Sequence, residues 1–207
     1  MAPVKSKKKA AVKKADIMKT AEKVLSRGMV EALRSRGADF LESGGEGAWL
    51  FDEKGNRYLD CYSSAGAYNL GRRNGEIVAE LRAAAREIDQ GNFVMLSAEK
   101  ASFGERLAAF LPGKLECVLP GAVRGEALDA ACKLARGFTG RAGLVTVNGG
   151  WYGQTGFALT LSQREDRHLF GNLIPEVSTV PFGDIDAVKK AVTRKTAAFI
   201  MEPVQAE

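Results

Sequence analysis

The sequence predicts an α/β fold: an incomplete, mainly parallel sheet with flanking helices, plus a small N-terminal β-unit. Three observations carry that reading. Apolar runs at residues 144–147, 177–180 and 197–201 come without polar alternation, as suits strands covered on both faces. Segments with helical spacing alternate with these runs, the order from which doubly wound sheets are built. Earlier in the chain, residues 48–51 and 57–61 are strand-like and flank a Lys54, Gly55, Asn56 corner, a hairpin signal.

Taken in order, the chain opens on a basic block. Lys5, Lys7, Lys8, Lys9, Lys13 and Lys14 lie within residues 1–15, and such a run is expected to be a solvated, disordered tail. Those six lysines outweigh the whole net charge of +5 and leave the rest of the chain close to balanced, so the charge says little about the folded part. Attraction to nucleic acid or another anionic surface through this tail is the minority reading. Residues 17–36 carry Ile17, Ala21, Val24, Leu25, Val30 and Leu33 at helical spacing, with Gly28 as the expected break. Residues 16–90 then make an N-terminal helix and β-unit. Its last element is a helix over residues 76–89, with Ile77, Val78, Leu81, Ala84, Ala85 and Ile88 on one face.

Residues 91–207 are read as the first part of a larger α/β domain. Residues 101–111 repeat the helical pattern and stop at Pro112 and Gly113. The run Cys117, Val118, Leu119 reads as a strand ending at Pro120 and Gly121. A helix with Leu128, Ala131, Leu134 and Ala135 on one face follows, and Gly137 is its expected stop. Glu126 and Asp129 in its first turn, and Lys133 and Arg136 in its last, oppose the helix dipole. A short helix over residues 185–192, opened by Asp184, separates the last two apolar runs. There is no internal repeat.

Composition narrows the class. Apolar residues are 45% of the chain and charged residues 27%, ordinary values for a globular protein. No apolar run approaches the roughly 20 residues of a membrane span, and no apolar segment of a leader follows the basic start. A cytoplasmic location is therefore expected, with no membrane partner. Cys61, Cys117 and Cys132 are widely spaced and odd in number, and are expected to be small core residues rather than metal ligands or a disulfide. His168 lies in a polar stretch expected to be a surface loop. The turn before the central helix offers Gly121, Gly125 and the guanidinium of Arg124 beside free backbone N–H groups, a seat for a phosphate. The alternative is that these glycines serve backbone geometry alone.

Several blocks in register then resemble a known family. They are GNRYLD at 55–60, NLGRRN at 69–74, KLAR at 133–136, TGR at 139–141, WYG at 151–153, VPFGD at 180–184 and EPVQAE at 202–207. From about residue 44 onward the chain resembles the N-terminal portion of class III, fold type I, pyridoxal-phosphate-dependent aminotransferases. That group includes the ornithine, acetylornithine and 4-aminobutyrate aminotransferases.

The resemblance implies a fold-type-I transferase fold and pyridoxal 5'-phosphate as cofactor. Val123, Arg124 and Gly125 align with the family's phosphate-holding turn, roughly Ser-Gly-Ala, so a hydroxyl is lost and a cation gained. Arg124 then either pairs with the phosphate or points outward, leaving the phosphate to amides. Trp151 takes the place of the aromatic that stacks on the cofactor ring, although an indole there can also be core filler. Tyr152 replaces the family's usual His. Gln154 stands where acetylornithine-type enzymes carry a substrate-binding Arg, which argues against that specificity. Glu207 aligns with an acid that gates between amino donor and acceptor, and Glu202 with a structural acid beneath the site. Ser64, beside Ser63, aligns with the substrate entrance.

In the family the lysine that anchors the cofactor, and the aspartate facing its ring nitrogen, follow the block matched by EPVQAE. Lys133 matches the KLAR lysine, which is not the catalytic one. No catalytic residue or metal ligand is assigned within this chain. The expectation is a segment, inactive alone, of a homodimeric enzyme that transfers amino groups between an amino acid or ω-amino substrate and a 2-oxo acid. Aminomutase or decarboxylase chemistry on the same fold stays open. So do a non-catalytic remnant or binding subunit, and a nucleic-acid or anionic-surface binder acting through the lysine tail.

Overall fold

The computed structural model describes residues 13–88 and 95–205 and divides the chain into two compact units, Met1–Met95 and Leu96–Glu207. The expectations for Lys5, Lys7, Lys8, Lys9 and Glu207 fall outside the described residues.

In the first unit, α1 (Lys14–Val24) begins within the stretch read as tail. Gly28 is not the break, since it lies in the first turn of α2 (Arg27–Ser35). The chain turns at Leu25 and Ser26, and the Ser26 side chain accepts from the Met29 N–H at 3.2 Å, supplying the N-cap that a new helix needs. Strands β1 (Glu42–Glu46), β2 (Trp49–Asp52) and β3 (Arg57–Leu59) form an antiparallel sheet with β2 in the middle. The hairpin is organised by Asp52, which is buried. Its carboxylate accepts from the N–H groups of Lys54 (2.9 Å) and Asn56 (2.8 Å), the Asn56 amide (2.8 Å) and the Tyr58 hydroxyl (3.0 Å). Helix α3 (Gly75–Glu87) starts where the Asn74 side chain accepts from the N–H groups of Glu76 and Ile77.

In the second unit, α4 (Ala98–Phe110) is capped by Ser97. The expected strand at residues 117–119 does not form. Cys117 is exposed and Leu119 is 64% exposed, and an apolar run without a partner strand has no ladder to join. Helix α5 (Glu126–Thr139) passes through Gly137 and stops at Gly140, whose φ of +65° supplies the left-handed C-terminal turn. Strands β4 (Gly143–Val147), β5 (Val177–Val180) and β6 (Thr196–Ile200) form a parallel sheet in the order β5-β4-β6. Between β4 and β5 run α6 (Gly156–Leu161) and a 3₁₀ turn, Glu165–Phe170, which carries the exposed His168. Helix α7 (Ile185–Ala191) is capped by Asp184, whose carboxylate accepts from the Ala187 N–H at 2.8 Å.

The sheet is covered on both faces, and period-two alternation along β4 decides which residue meets which helix. Leu144 packs with Cys132, Leu161, Leu128 and Phe157. Val145 and Val147 pack with Val180, Ala187, Val188 and Ala191 on the other side. Each fully buried Leu in such a core contributes roughly 1.5–3 kcal/mol. Cys132 is a core residue as expected, its thiol pushed up to about 11 by burial and the nearby Asp129 carboxylate. Cys61 and Cys117 are exposed, contrary to expectation.

Candidate functional site

The loop from Asn148 to Gly153 leaves the carboxyl end of the central strand β4, where open α/β sheets place their ligands. Two side chains from the segment after β6 pin it. The Trp151 N–H donates to Glu202 Oε2 at 2.9 Å, and Gln205 Nε2 donates to the Asn148 carbonyl at 2.5 Å. Tyr152 turns the other way. Its N–H donates to Ser162 Oγ at 2.9 Å, and its hydroxyl accepts from Thr146 Oγ1 at 3.2 Å and donates to the Ile200 carbonyl at 3.4 Å. Burial pushes the Tyr152 phenol above its ordinary range. The residue that replaces the family's His is therefore a plug among the strands.

The turn before α5 meets this loop backbone to backbone. A Cβ on Gly153 would lie 2.8 Å from Gly125 Cα and 2.9 Å from Gly125 N, and Gly153 has a φ of +131°. Gly125, at φ +99°, has equally little room, since a Cβ there would come within 2.9 Å of Ala158 Cβ. Asp129 Oδ1 ties α5 to α6 by accepting from the Ala158 N–H at 2.9 Å. Two glycines thus permit the close approach that sets the turn beside the aromatic loop.

The outcome is one open hollow of about 310 Å³ lined by Val123, Arg124, Trp151, Gln154 and Thr155. The Arg124 Cζ lies 5.6 Å from the centroid of the Trp151 ring. Val123, Arg124, Trp151 and Gln154 are brought together, with Gly125 directly behind them. Thr155 escaped sequence reasoning, although it directly follows WYGQ; its Oγ1 is buried without a hydrogen-bond partner. Glu126 escaped it too. Its Oε2 accepts from the N–H groups of Ala122 at 2.6 Å and Val123 at 3.3 Å, so those two amides are not free.

Ser64 belongs to the first unit. It sits in a turn where Ser63, Ser64 and Ala65 all have φ near +50° (51°, 50° and 54°), a conformation that costs non-glycine residues about 1 kcal/mol or more each. Asp60 holds the start of that turn by accepting from the Ser63 N–H at 2.8 Å, and Arg72 pairs with Asp60 at 2.8 Å. The Arg72 guanidinium holds the Asp60 carboxyl below its usual range. Among the described residues no cluster of side chains is arranged to hold a metal ion, and no helix is long and apolar enough to cross a membrane.

A flat indole wall and one cation are what a flat, anionic, ring-bearing ligand requires, and the lining fits such a group. The parallel sheet and its flanking helices have the architecture of a fold-type-I transferase. Residues 34–207 match the class-III aminotransferase family, and the chain belongs to that family.

An uncharacterized aminotransferase of Archaeoglobus fulgidus is 40% identical over 193 residues, which are 93% of this chain and 46% of that protein. An ornithine aminotransferase of a Geobacillus species is 34% identical over 172 residues, 79% of this chain and 43% of that protein. Among solved structures, taurine:2-oxoglutarate aminotransferase from Bifidobacterium kashiwanohense, in complex with PLP and glutamate, superposes with a TM-score of 0.72 at 20% identity. The match covers 80% of this chain and 43% of that one. The chain spans a little under half the length of the curated relatives it matches.

Proposed function

We propose that this chain supplies the cofactor-phosphate side of a pyridoxal-5'-phosphate-dependent aminotransferase. The whole protein transfers an amino group between an amino acid or ω-amino substrate and a 2-oxo acid, and it acts as a homodimer in the cytoplasm. One observation carries the reading: the Val123–Gly125 turn and the Trp151 indole face a single hollow.

In it, Trp151 offers a face for the cofactor ring, and Val123, Arg124 and Gly125 form the corner for its phosphate. When bound, pyridoxal phosphate supplies an electron-withdrawing ring that stabilises negative charge on the substrate carbon. This chain's residues bind and orient. Glu202 holds the backbone at Trp151 by accepting from its main-chain N–H, Gly125 and Gly153 allow the turn to meet the loop, and Gln154 offers an amide at the rim. For the whole protein, the family resemblance assigns Ser64 to the substrate entrance and Glu207 to the acid that gates between donor and acceptor.

The test is to add pyridoxal phosphate to the purified 207-residue chain and follow quenching of tryptophan emission. Glutamate formation is then assayed with 2-oxoglutarate and ornithine, 4-aminobutyrate or alanine as donor. Saturable quenching without turnover is expected. Absence of quenching removes the cofactor reading, and turnover by this chain removes its inactivity.

A further inference from the structure

We propose that the Arg124 guanidinium, rather than the amides of the turn before it, is the anion receptor of the hollow and takes the phosphate of the ligand seated on Trp151. The inference rests on the cofactor reading above but is tested separately from it.

Two amides of the turn are already engaged. Those of Ala122 and Val123 donate to Glu126 Oε2 at 2.6 and 3.3 Å. The Gly125 nitrogen lies against the Cα of Gly153, where a Cβ would approach it to 2.9 Å. A phosphate brought to the first two amides would displace a carboxylate already seated there, or sit beside it and be repelled. Those two amides therefore serve Glu126.

The cation is available. Of the five lining residues, Val123, Trp151, Gln154 and Thr155 are uncharged and Arg124 is the only ion. Among the described residues no salt bridge involves Arg124. Its Cζ stands 5.6 Å from the indole centroid, so a ring laid along that indole has a permanently charged, forked donor beside its edge. Guanidinium and phosphate match in charge and bidentate geometry. The competing role for Arg124 is packing: a cation resting on Trp151 to hold the indole. That role predicts equal loss of phosphorylated and unphosphorylated ligands when Arg124 is changed.

The test uses the full chain carrying Trp49→Phe, which leaves Trp151 as its only tryptophan. Pyridoxine 5'-phosphate and pyridoxine are the probes, because neither has an aldehyde to react with surface lysines. Quenching of Trp151 gives both affinities, and ³¹P line broadening gives the binding of inorganic phosphate. The parent is expected to prefer the phosphorylated ring by about tenfold or more. Arg124→Gln should erase that preference and the inorganic phosphate binding, with pyridoxine affinity little changed. Arg124→Lys should keep part of the preference, and Glu126→Gln should not reduce it.

A preference that survives Arg124→Gln overturns the proposal in favour of the amides. Equal loss of both rings overturns it in favour of packing. Arg124-dependent phosphate binding without any quenching by the rings would sustain the receptor and remove the cofactor reading. Absence of all binding removes both.

Discussion

The Trp151 N–H donates to Glu202 Oε2 at 2.9 Å across fifty-one positions of sequence, joining the loop after β4 to the segment after β6. A hydrogen bond to a charged, half-buried acceptor contributes roughly 1.5–3 kcal/mol. Here it holds an aromatic residue that faces the hollow. Glu202→Ala is expected to weaken quenching of Trp151 by pyridoxal phosphate by about tenfold. Glu202→Gln keeps an acceptor oxygen and should lose less. Titration of both variants in a Trp49→Phe background checks this, and equal affinities in all three proteins would remove Glu202 from the positioning of the indole.

Gly153 is where the site is most sensitive to a single methyl group. At φ +131°, with Gly125 Cα 2.8 Å from a built Cβ, Gly153→Ala meets both backbone strain and a backbone clash. Together these are expected to cost about 2–4 kcal/mol. Denaturant unfolding should show the loss as a lower midpoint at unchanged slope, and ligand quenching should weaken as the turn and loop separate. Gly137→Ala provides the contrast. That glycine lies within α5, where an added Cβ meets nothing within 4 Å, so the substitution should stabilise by roughly 0.5–1 kcal/mol.

These two glycines also show what could be read from the sequence. Gly137 looked like a helix stop because it is a glycine directly after the basic last turn, yet α5 runs on to Gly140. A helix end is set by where the chain must turn back to the sheet, which is tertiary information. Strands β4, β5 and β6 were legible because burial on both faces leaves continuous apolar runs. Strand β1, sequence ESGGE, was not, because its pairing to β2 is made by backbone groups that composition does not mark. The false strand at residues 117–119 is the converse: an apolar run with no neighbour to pair.

In the site, Val123 and Trp151 came from the family resemblance, and Arg124 and Gly125 stood out as a seat for an anion. The occupation of the Ala122 and Val123 amides by Glu126 did not, because it depends on the rotamer of one side chain at the start of a helix. Thr155 and Gly153 owe their roles to a backbone approach between distant segments, and no local pattern announces it.

Tyr152 separates stability from ligand binding. Its hydroxyl bridges Thr146 Oγ1 and the Ile200 carbonyl, and Thr146 is fully buried. Tyr152→Phe leaves that threonine hydroxyl without this partner and is expected to cost about 1–2 kcal/mol. Because Tyr152 is not part of the hollow's lining, quenching of Trp151 by pyridoxal phosphate should stay within about twofold of the parent at temperatures where both are folded. A tenfold loss would place the phenol within reach of the ligand.

Asp52 governs the acid behaviour of the N-terminal unit. Burial disfavours its ionised form, but hydrogen bonds from Asn56, Lys54 and Tyr58 outweigh that, and its pKa falls from 3.8 to about 2. A carboxyl whose folded pKa is depressed contributes stability above its unfolded value, and that contribution is lost as pH falls through the folded one. The stability owed to Asp52 should therefore be intact above pH 4 and decline between about pH 4 and pH 2. Asp52→Asn removes the titration and replaces one acceptor oxygen with a donor amide facing other donors. The variant is expected to be less stable at pH 7 and to show a flatter acid limb than the parent. The check is the difference between the two unfolding curves from pH 7 down to pH 2, which cancels the other carboxyls common to both proteins. Parallel acid limbs would mean that the Asp52 carboxyl titrates alike in the folded and unfolded chain, so that its hydrogen bonds do not hold the ionised form.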